Sequence, residues 1–304
     1  MGRWVARLTG ILLVTLAAHA IAADYATPQA AVDALEAALK ANSVAALREV
    51  FGPGSEKLLV SGDPVADRET RRHFLESLEA AHHLDTTAPD RRVLVVGTND
   101  WPLPIPLVET AGRWHFDSAA GAQEIVDRRI GQNEIEAIRT LLAVADAQKD
   151  FFDRVKAAGG TGYYARRFLA TPGLHDGLYW QADDDETPSP LAPLGELAEQ
   201  GGYSLAALQS GPSPFQGYRF RMLTGQGPLA PGGAKSYLTG ERLTGGYAVL
   251  AWPATFEASG IMSFLMGPDG VVYQTDLGPG TAELAARITR FDPDVKWARV
   301  DIGE

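Results

Sequence analysis

QNEIEAIRTLLAVADAQKDFFDRVKA, residues 132–157, decides the fold. Its apolar residues recur at Ile138, Leu141, Leu142, Ala145, Phe152 and Val155, the three-to-four spacing of a helix with one buried stripe. Helical spacing reaches back to about residue 119, with Gly131 as the expected break or kink, and Gly159-Gly160 supplies the stop. A helix this long with one apolar face needs a broad surface to cover, and the chain on either side offers strands.

Downstream, residues 172–233 are rich in Gly and Pro and contain the acidic run Asp183-Asp184-Asp185-Glu186, which predicts a long loop region with little regular structure. Extended spacing returns at Gly217. Tyr218, Phe220 and Met222 alternate with Arg219 and Arg221, Gly246 to Trp252 and Gly260 to Met266 read as deeply buried strands, and Pro268-Asp269-Gly270 turns into Val271-Val272-Tyr273-Gln274. A short helix is expected from Thr281 to Thr289.

Upstream, Thr27 caps a helix that opens on Pro28 and turns Val32, Leu35 and Leu39 inward. Asn42-Ser43 ends it and caps a second helix, whose Val44, Leu47 and Phe51 share a face until Gly52-Pro53-Gly54. A third helix is expected from about Asp67 to Leu84, with Phe74 and Leu78 inward. The period then becomes extended. Val93 to Val96 and Ile105 to Val108 read as strands, and Thr110-Ala111-Gly112 links to Arg113–Asp117, where Trp114 and Phe116 face one way and Arg113 and His115 the other. Prolines 102, 104 and 106 confine residues 101–108 to a sheet edge or an irregular path. The fold class is therefore α+β: helices with a curved, cone-like antiparallel sheet, then a long helix packed on a second antiparallel sheet.

Residues 1–22 carry Arg3 and Arg7, an uncharged run from Leu8 to Ala18, and Ala20-Ile21-Ala22, the three zones of a cleavable secretory signal. The uncharged run is short against the roughly 20 residues a spanning helix requires. The expected organisation is a signal at 1–22, a first domain at 23–120 and a second at 121–304, in a periplasmic or secreted protein with no integral membrane segment after cleavage. Losing Arg3 and Arg7 takes the net charge from −11 to −13. Such a balance, without a basic stripe, excludes nucleic acid as an expected partner. With no cysteine, disulfides, thiol nucleophiles and thiolate metal sites are excluded as well.

Several motifs carry a family likeness. Ser61-Gly62-Asp63-Pro64-Val65-Ala66-Asp67, the stretch Val96 to Leu107, Arg129-Ile130-Gly131-Gln132-Asn133-Glu134, Pro231-Gly232-Gly233-Ala234 and Thr244-Gly245-Gly246-Tyr247 resemble bacterial exported proteins grouped as domain of unknown function 2950. That resemblance implies no chemistry. Residues 24–120 also look like nuclear transport factor 2-like domains, which implies a cone with an internal cavity. Residues 132–290 look like the globular part of type IV pilins and pseudopilins, through the helix at Asn133, Ala147-Gln148, Tyr163-Tyr164-Ala165 and the Asp269 to Tyr273 hairpin. The polar residues Gln123, Glu124, Asp127, Arg128 and Arg129 argue against insertion of that helix into a filament core.

No catalytic residue emerges. There is no Gly-x-Ser-x-Gly elbow, no phosphate loop and no dinucleotide fingerprint. His82 and His83, read as neighbours on a helix, diverge by about 100° and cannot share one ion with Asp85. The acidic run lacks the spaced ligands of a calcium loop. No metal and no cofactor is expected. Two binding sites are expected instead: a cavity mouth formed by Asp100, Trp101, Arg113 and His115, and an interaction loop formed by Pro231, Gly232, Gly233 and Tyr237 with Trp252. The expected role is a non-catalytic interaction or assembly module with an envelope protein as partner; an enzyme or small-ligand binder using the first cavity is the alternative.

Overall fold

The computed structural model describes residues 22–183, 185–204 and 213–301, so the signal expected at 1–22, apart from its last residue, and Asp184 lie outside the described residues. The chain opens with α1 (Pro28–Lys40), whose N-cap Thr27 accepts from the Ala30 N–H, and α2 (Val44–Phe51), capped likewise by Ser43. Both caps satisfy amides that a helix start leaves unpaired. A short turn of helix, α3 (Glu56–Leu59), leads to α4 (Pro64–Ala80), capped by Asp63.

The third helix thus starts and stops earlier than its periodicity predicts. Residues His82–Ala88 form β1, so His82 and His83 lie on a strand and not on a helix. The β1 edge pairs with β2 (Arg91–Val96); β2 pairs along its other edge with β3 (Trp101–Pro102) and β4 (Leu107–Thr110), and β4 pairs with β5 (Arg113–Phe116). Between β3 and β4 the prolines interrupt the ladder, as expected of residues without an N–H. Trp114 and Phe116 point into the core with Leu35, Leu47, Leu94 and Ile105, where α1 and α2 cover the sheet.

One helix, α5 (Ser118–Ala157), runs unbroken for 40 residues, and Gly131 neither breaks nor ends it. An exposed glycine weakens a helix by about 1 kcal/mol, too little to open a ladder held by packing at both ends. Ala122 packs in the first core and Ala137, Leu141, Val144, Ala147 and Phe151 in the second, so the boundary drawn at residue 120 falls inside a shared helix. The second-core stripe is turned by about one residue from its expected position. Ile138, Leu142, Ala145 and Val155 flank it, half-buried.

After α5 the chain is irregular except for α6 (Ala192–Gln200), a helix its Gly- and Pro-rich setting conceals. Then follow β6 (Tyr218–Leu223), the two-residue ladders β7 (Gly225–Gln226) with β8 (Lys235–Ser236) and β9 (Leu238–Thr239) with β10 (Arg242–Leu243), and β11 (Ala248–Pro253), β12 (Met262–Met266) and β13 (Val272–Asp276). α7 (Thr281–Arg287) and β14 (Ala298–Arg299) end the described chain. The second sheet is antiparallel, in the order β14-β13-β12-β11-β6. Met222 meets Gln148 of α5, while the next residue back, Arg221, donates to the Ala285 and Ile288 carbonyls at the end of α7. Alternate strand residues face opposite ways, so the two helices cover opposite faces, and β11 is buried throughout.

Buried phenols make this half sensitive to alkali. Burial pushes the ionisation of Tyr218 and Tyr247 well above the usual tyrosine range, with Glu134 adding to the effect at Tyr218. Unfolding frees both to ionise near pH 10, so their contribution is complete below that pH and is lost as pH rises above it. Thermal melts from about pH 9 to 11 should lose up to about 1.4 kcal/mol per pH unit for each phenol; a stability flat across that window contradicts the assignment.

Candidate functional site

A cavity of about 260 Å³ lies between the first-half helices and sheet. Its wall is built from the inward faces already described: Leu35 and Leu39 of α1, Leu47 and Phe51 of α2, Leu59 of α3, Leu103 before β4 and Ile125 of α5. Phe74 and Trp101 meet edge to face, ring centroids 6.2 Å apart. These two also line an outer cleft of about 500 Å³ with His73, Glu76, Gly97 and Asn99, so they form the partition between cleft and cavity.

The polar groups that line the cavity come from two helices: Asp67, Thr70 and Arg71 on α4, and Arg129 on α5. Asp67, Arg71 and Arg129 hydrogen-bond to the protein itself. Both Asp67 carboxylate oxygens accept from the Ser61 N–H, at 3.2 and 3.0 Å. The Arg71 Nε donates to Asn42 Oδ1 at 2.9 Å. Arg129 donates to three carbonyls, those of Ala258 at 2.9 Å, Leu58 at 3.1 Å and Lys57. Burial pulls the ionisation of both arginines down, and the Asp67 charge partly restores it. The polar groups of the lining are Asp67, Thr70, Arg71 and Arg129, with no histidine, serine, lysine or tyrosine. The arrangement offers an apolar group a mainly hydrophobic surround, with Asp67 and Thr70 among its few polar groups.

The four residues expected at one mouth fall in two places. Trp101 lines the cavity. Asp100 precedes it in an exposed turn, with φ of 52°, a backbone state that Asp tolerates better than most residues. Arg113 and His115 lie on the outward face of β5, where Arg113 donates to the Asp24 carbonyl at 2.6 Å and His115 Nδ1 stands 3.8 Å from the Asp24 carboxylate. They line a separate surface groove and not the cavity. Strand alternation correctly turned Trp114 inward, but the fold then carried its outward neighbours away from the cavity.

The expected interaction loop is corrected in the same way. Pro231 and Gly232 are exposed, but Tyr237 is fully buried and Trp252 nearly so, and neither is displayed to a partner. Buried Gln226 organises this loop: its amide nitrogen donates to the Pro231 and Gly233 carbonyls, both at 2.7 Å, and its oxygen accepts from the Tyr237 hydroxyl at 2.9 Å. Trp252 carries the guanidinium of Arg221 over its ring. The aromatic residues belong to the second core.

The motif residues missed as functional are those that join the halves. Asp63 is fully buried and accepts from Val65 and Ala66 at the start of α4, and from the Tyr203 hydroxyl and the Gly217 N–H, each at 2.9 Å. Asn133 donates to the Ser259 carbonyl at 2.9 Å, and Glu134 accepts from the Ile261 and Met262 N–H groups, each at 3.0 Å. A Cβ on Gly62 would lie 2.1 Å from the Thr255 hydroxyl. With Arg129, the motifs at 61–67 and 129–134 form one polar joint.

Among the described residues no group of three or more His, Asp or Glu is placed to hold a metal ion, and no helix is long and apolar enough to cross a membrane. A family model described as a protein of unknown function, DUF2950, matches residues 22–300. No curated protein and no solved structure matches the chain.

Proposed function

We propose, from the premise that this chain belongs to the DUF2950 family, that it is an exported, non-catalytic binding protein of the cell envelope whose first-half cavity takes a small, largely apolar molecule. The observation that carries the reading is the cavity itself: ten apolar side chains line it, and its charged groups are spent on the protein's own atoms, Asp67 and Arg129 on backbone and Arg71 on the Asn42 side chain. At about 260 Å³ it falls just below the roughly 300–1,000 Å³ typical of ligand clefts, so the occupant is small. The sequence resemblance of residues 24–120 to nuclear transport factor 2-like domains, which implies a cone with an internal cavity, agrees with this reading. Within binding, a ligand is favoured over a docked envelope protein, because the aromatic anchors such a partner would grip, Tyr237 and Trp252, are internal.

The test is a thermal-shift screen of small apolar compounds against the purified protein and against Ile125→Trp, which fills the cavity from a half-buried position. A ligand at 100 times its Kd stabilises the native protein by about 2.7 kcal/mol, several degrees in Tm for a chain of this size. The shift should vanish in Ile125→Trp; an equal shift in both proteins sinks the cavity reading. Export is checked by sequencing the amino terminus of protein recovered from the envelope, which should begin at Ala23.

A further inference from the structure

A second site lies on the other half, at the exposed side of α5. A pocket of about 570 Å³ opens between that helix and the β12–β13 turn, lined by Phe152, Tyr164, Tyr247, Asp146 and Asp269, with Lys149 at its rim. The three rings are contiguous. Phe152 and Tyr164 have centroids 4.9 Å apart, Tyr164 and Tyr247 5.0 Å, with planes turned by 32° and 53°, which makes an angled aromatic wall.

The backbone is arranged to hold that wall. The Tyr164 N–H donates to the Leu243 carbonyl at 2.9 Å, tying the segment that carries the ring to β10. Gly246 takes φ of +134° and would bring a Cβ within 3.0 Å of Pro268, so glycine lets Tyr247 pack beside the turn that carries Asp269. This explains the Gly245-Gly246-Tyr247 motif that the first-half cavity leaves unused.

Charge completes the site. Asp146 is exposed on α5 and has no hydrogen bond or ion pair among the described residues, and the Tyr247 hydroxyl likewise has no partner among them. Asp269 accepts from the Val271 N–H, which leaves it oxygen capacity to spare. Lys149 is ion-paired with Asp153 at 2.6 Å. Burial first, then Tyr164, and after it the charges of Asp146 and Asp269, push the Tyr247 phenol upward. Aromatic faces and carboxylates on one concave surface are the groups that attract an organic cation.

We propose that the pocket formed by Phe152, Tyr164, Tyr247, Asp146 and Asp269 binds an alkylammonium group. The cation sits against the ring faces while Asp146 and Asp269 supply the opposing charge. Its source is either a free amine or a lysine side chain of a peptide, which share this chemistry.

Calorimetric titration of the full chain with choline, and with its uncharged isostere 3,3-dimethylbutanol, tests the assignment. Choline should bind about tenfold more tightly than the isostere, and Asp146→Asn and Tyr164→Leu should each weaken it by about tenfold. Ile125→Trp, in the other half, should leave choline binding unchanged, which separates this site from the apolar cavity. An oligolysine peptide competing with choline assigns the site to a side chain; a peptide that does not compete assigns it to a free amine. Absence of binding at about 10 mM choline, equal binding of the isostere, or unaltered binding in both variants overturns the proposal.

Discussion

Asp63→Ala should lower stability by about 4 kcal/mol or more, the largest loss expected from any single side chain at the joint. The carboxylate is fully buried, and its four partners come from both halves. Two are the first free amides of α4, whose loss of a cap alone costs about 1 kcal/mol. The others are the Tyr203 hydroxyl and the Gly217 N–H, left buried without an acceptor at about 1–3 kcal/mol each. Tyr203 itself accepts from the Gln216 N–H at 2.9 Å, so the damage spreads to the chain entering β6. Tyr203→Phe removes one partner and should cost about 1–2 kcal/mol. Urea denaturation of the three proteins measures both steps. A loss under about 1.5 kcal/mol for Asp63→Ala would mean that water replaces the carboxylate and that the joint is not a buried network.

That joint explains why the motifs were easy to see and hard to interpret. Asp63 followed by Pro64 is a legible helix start, yet the same carboxylate also reaches residues 140 and 154 positions away, and no local pattern encodes those partners. Arg129, Asn133 and Glu134 fall on the side of α5 that looks polar, and a polar stripe on a helix normally reads as solvated. Here it is polar because it meets backbone: Arg129 and Asn133 donate to carbonyls and Glu134 accepts from amides of the second half. Elements specified by neighbours a few residues apart were legible, including α1, α2, the Trp114 and Phe116 face, and the β12–β13 hairpin. The cavity residues Leu35, Leu47 and Phe51 were legible as inward, but the space between them depends on how α3 and α5 close over them. The strand at His82–Ala88 was missed because its partner β2, and not its own alternation, holds it extended; its side chains are mostly exposed on both faces.

Two glycines of α5 should respond in opposite directions to the same substitution, Gly121→Ala losing about 3 kcal/mol and Gly131→Ala gaining about 1 kcal/mol. By sequence Gly131 attracts attention, since it interrupts the helical stretch inside a motif, whereas Gly121 sits among alanines. The structure reverses their importance. A Cβ at Gly131 meets nothing within 4 Å, and its backbone is already helical, so alanine removes disorder from the unfolded chain and strains nothing in the folded one. A Cβ at Gly121 would stand 2.1 Å from the Pro104 carbonyl oxygen and 2.7 Å from the Ile105 nitrogen. Those are backbone atoms of the proline-interrupted path between β3 and β4, anchored by buried Leu103 and Ile105, and they cannot swing aside as a side chain would. The helix must back away from the sheet, which loosens the wall holding Ile125 against the cavity. Melting both variants against the parent decides the matter: two small changes of the same sign would show that α5 and this segment are not in contact. A loss confined to Gly121→Ala, accompanied by weaker ligand-induced shifts, would tie the close backbone approach to the cavity it closes.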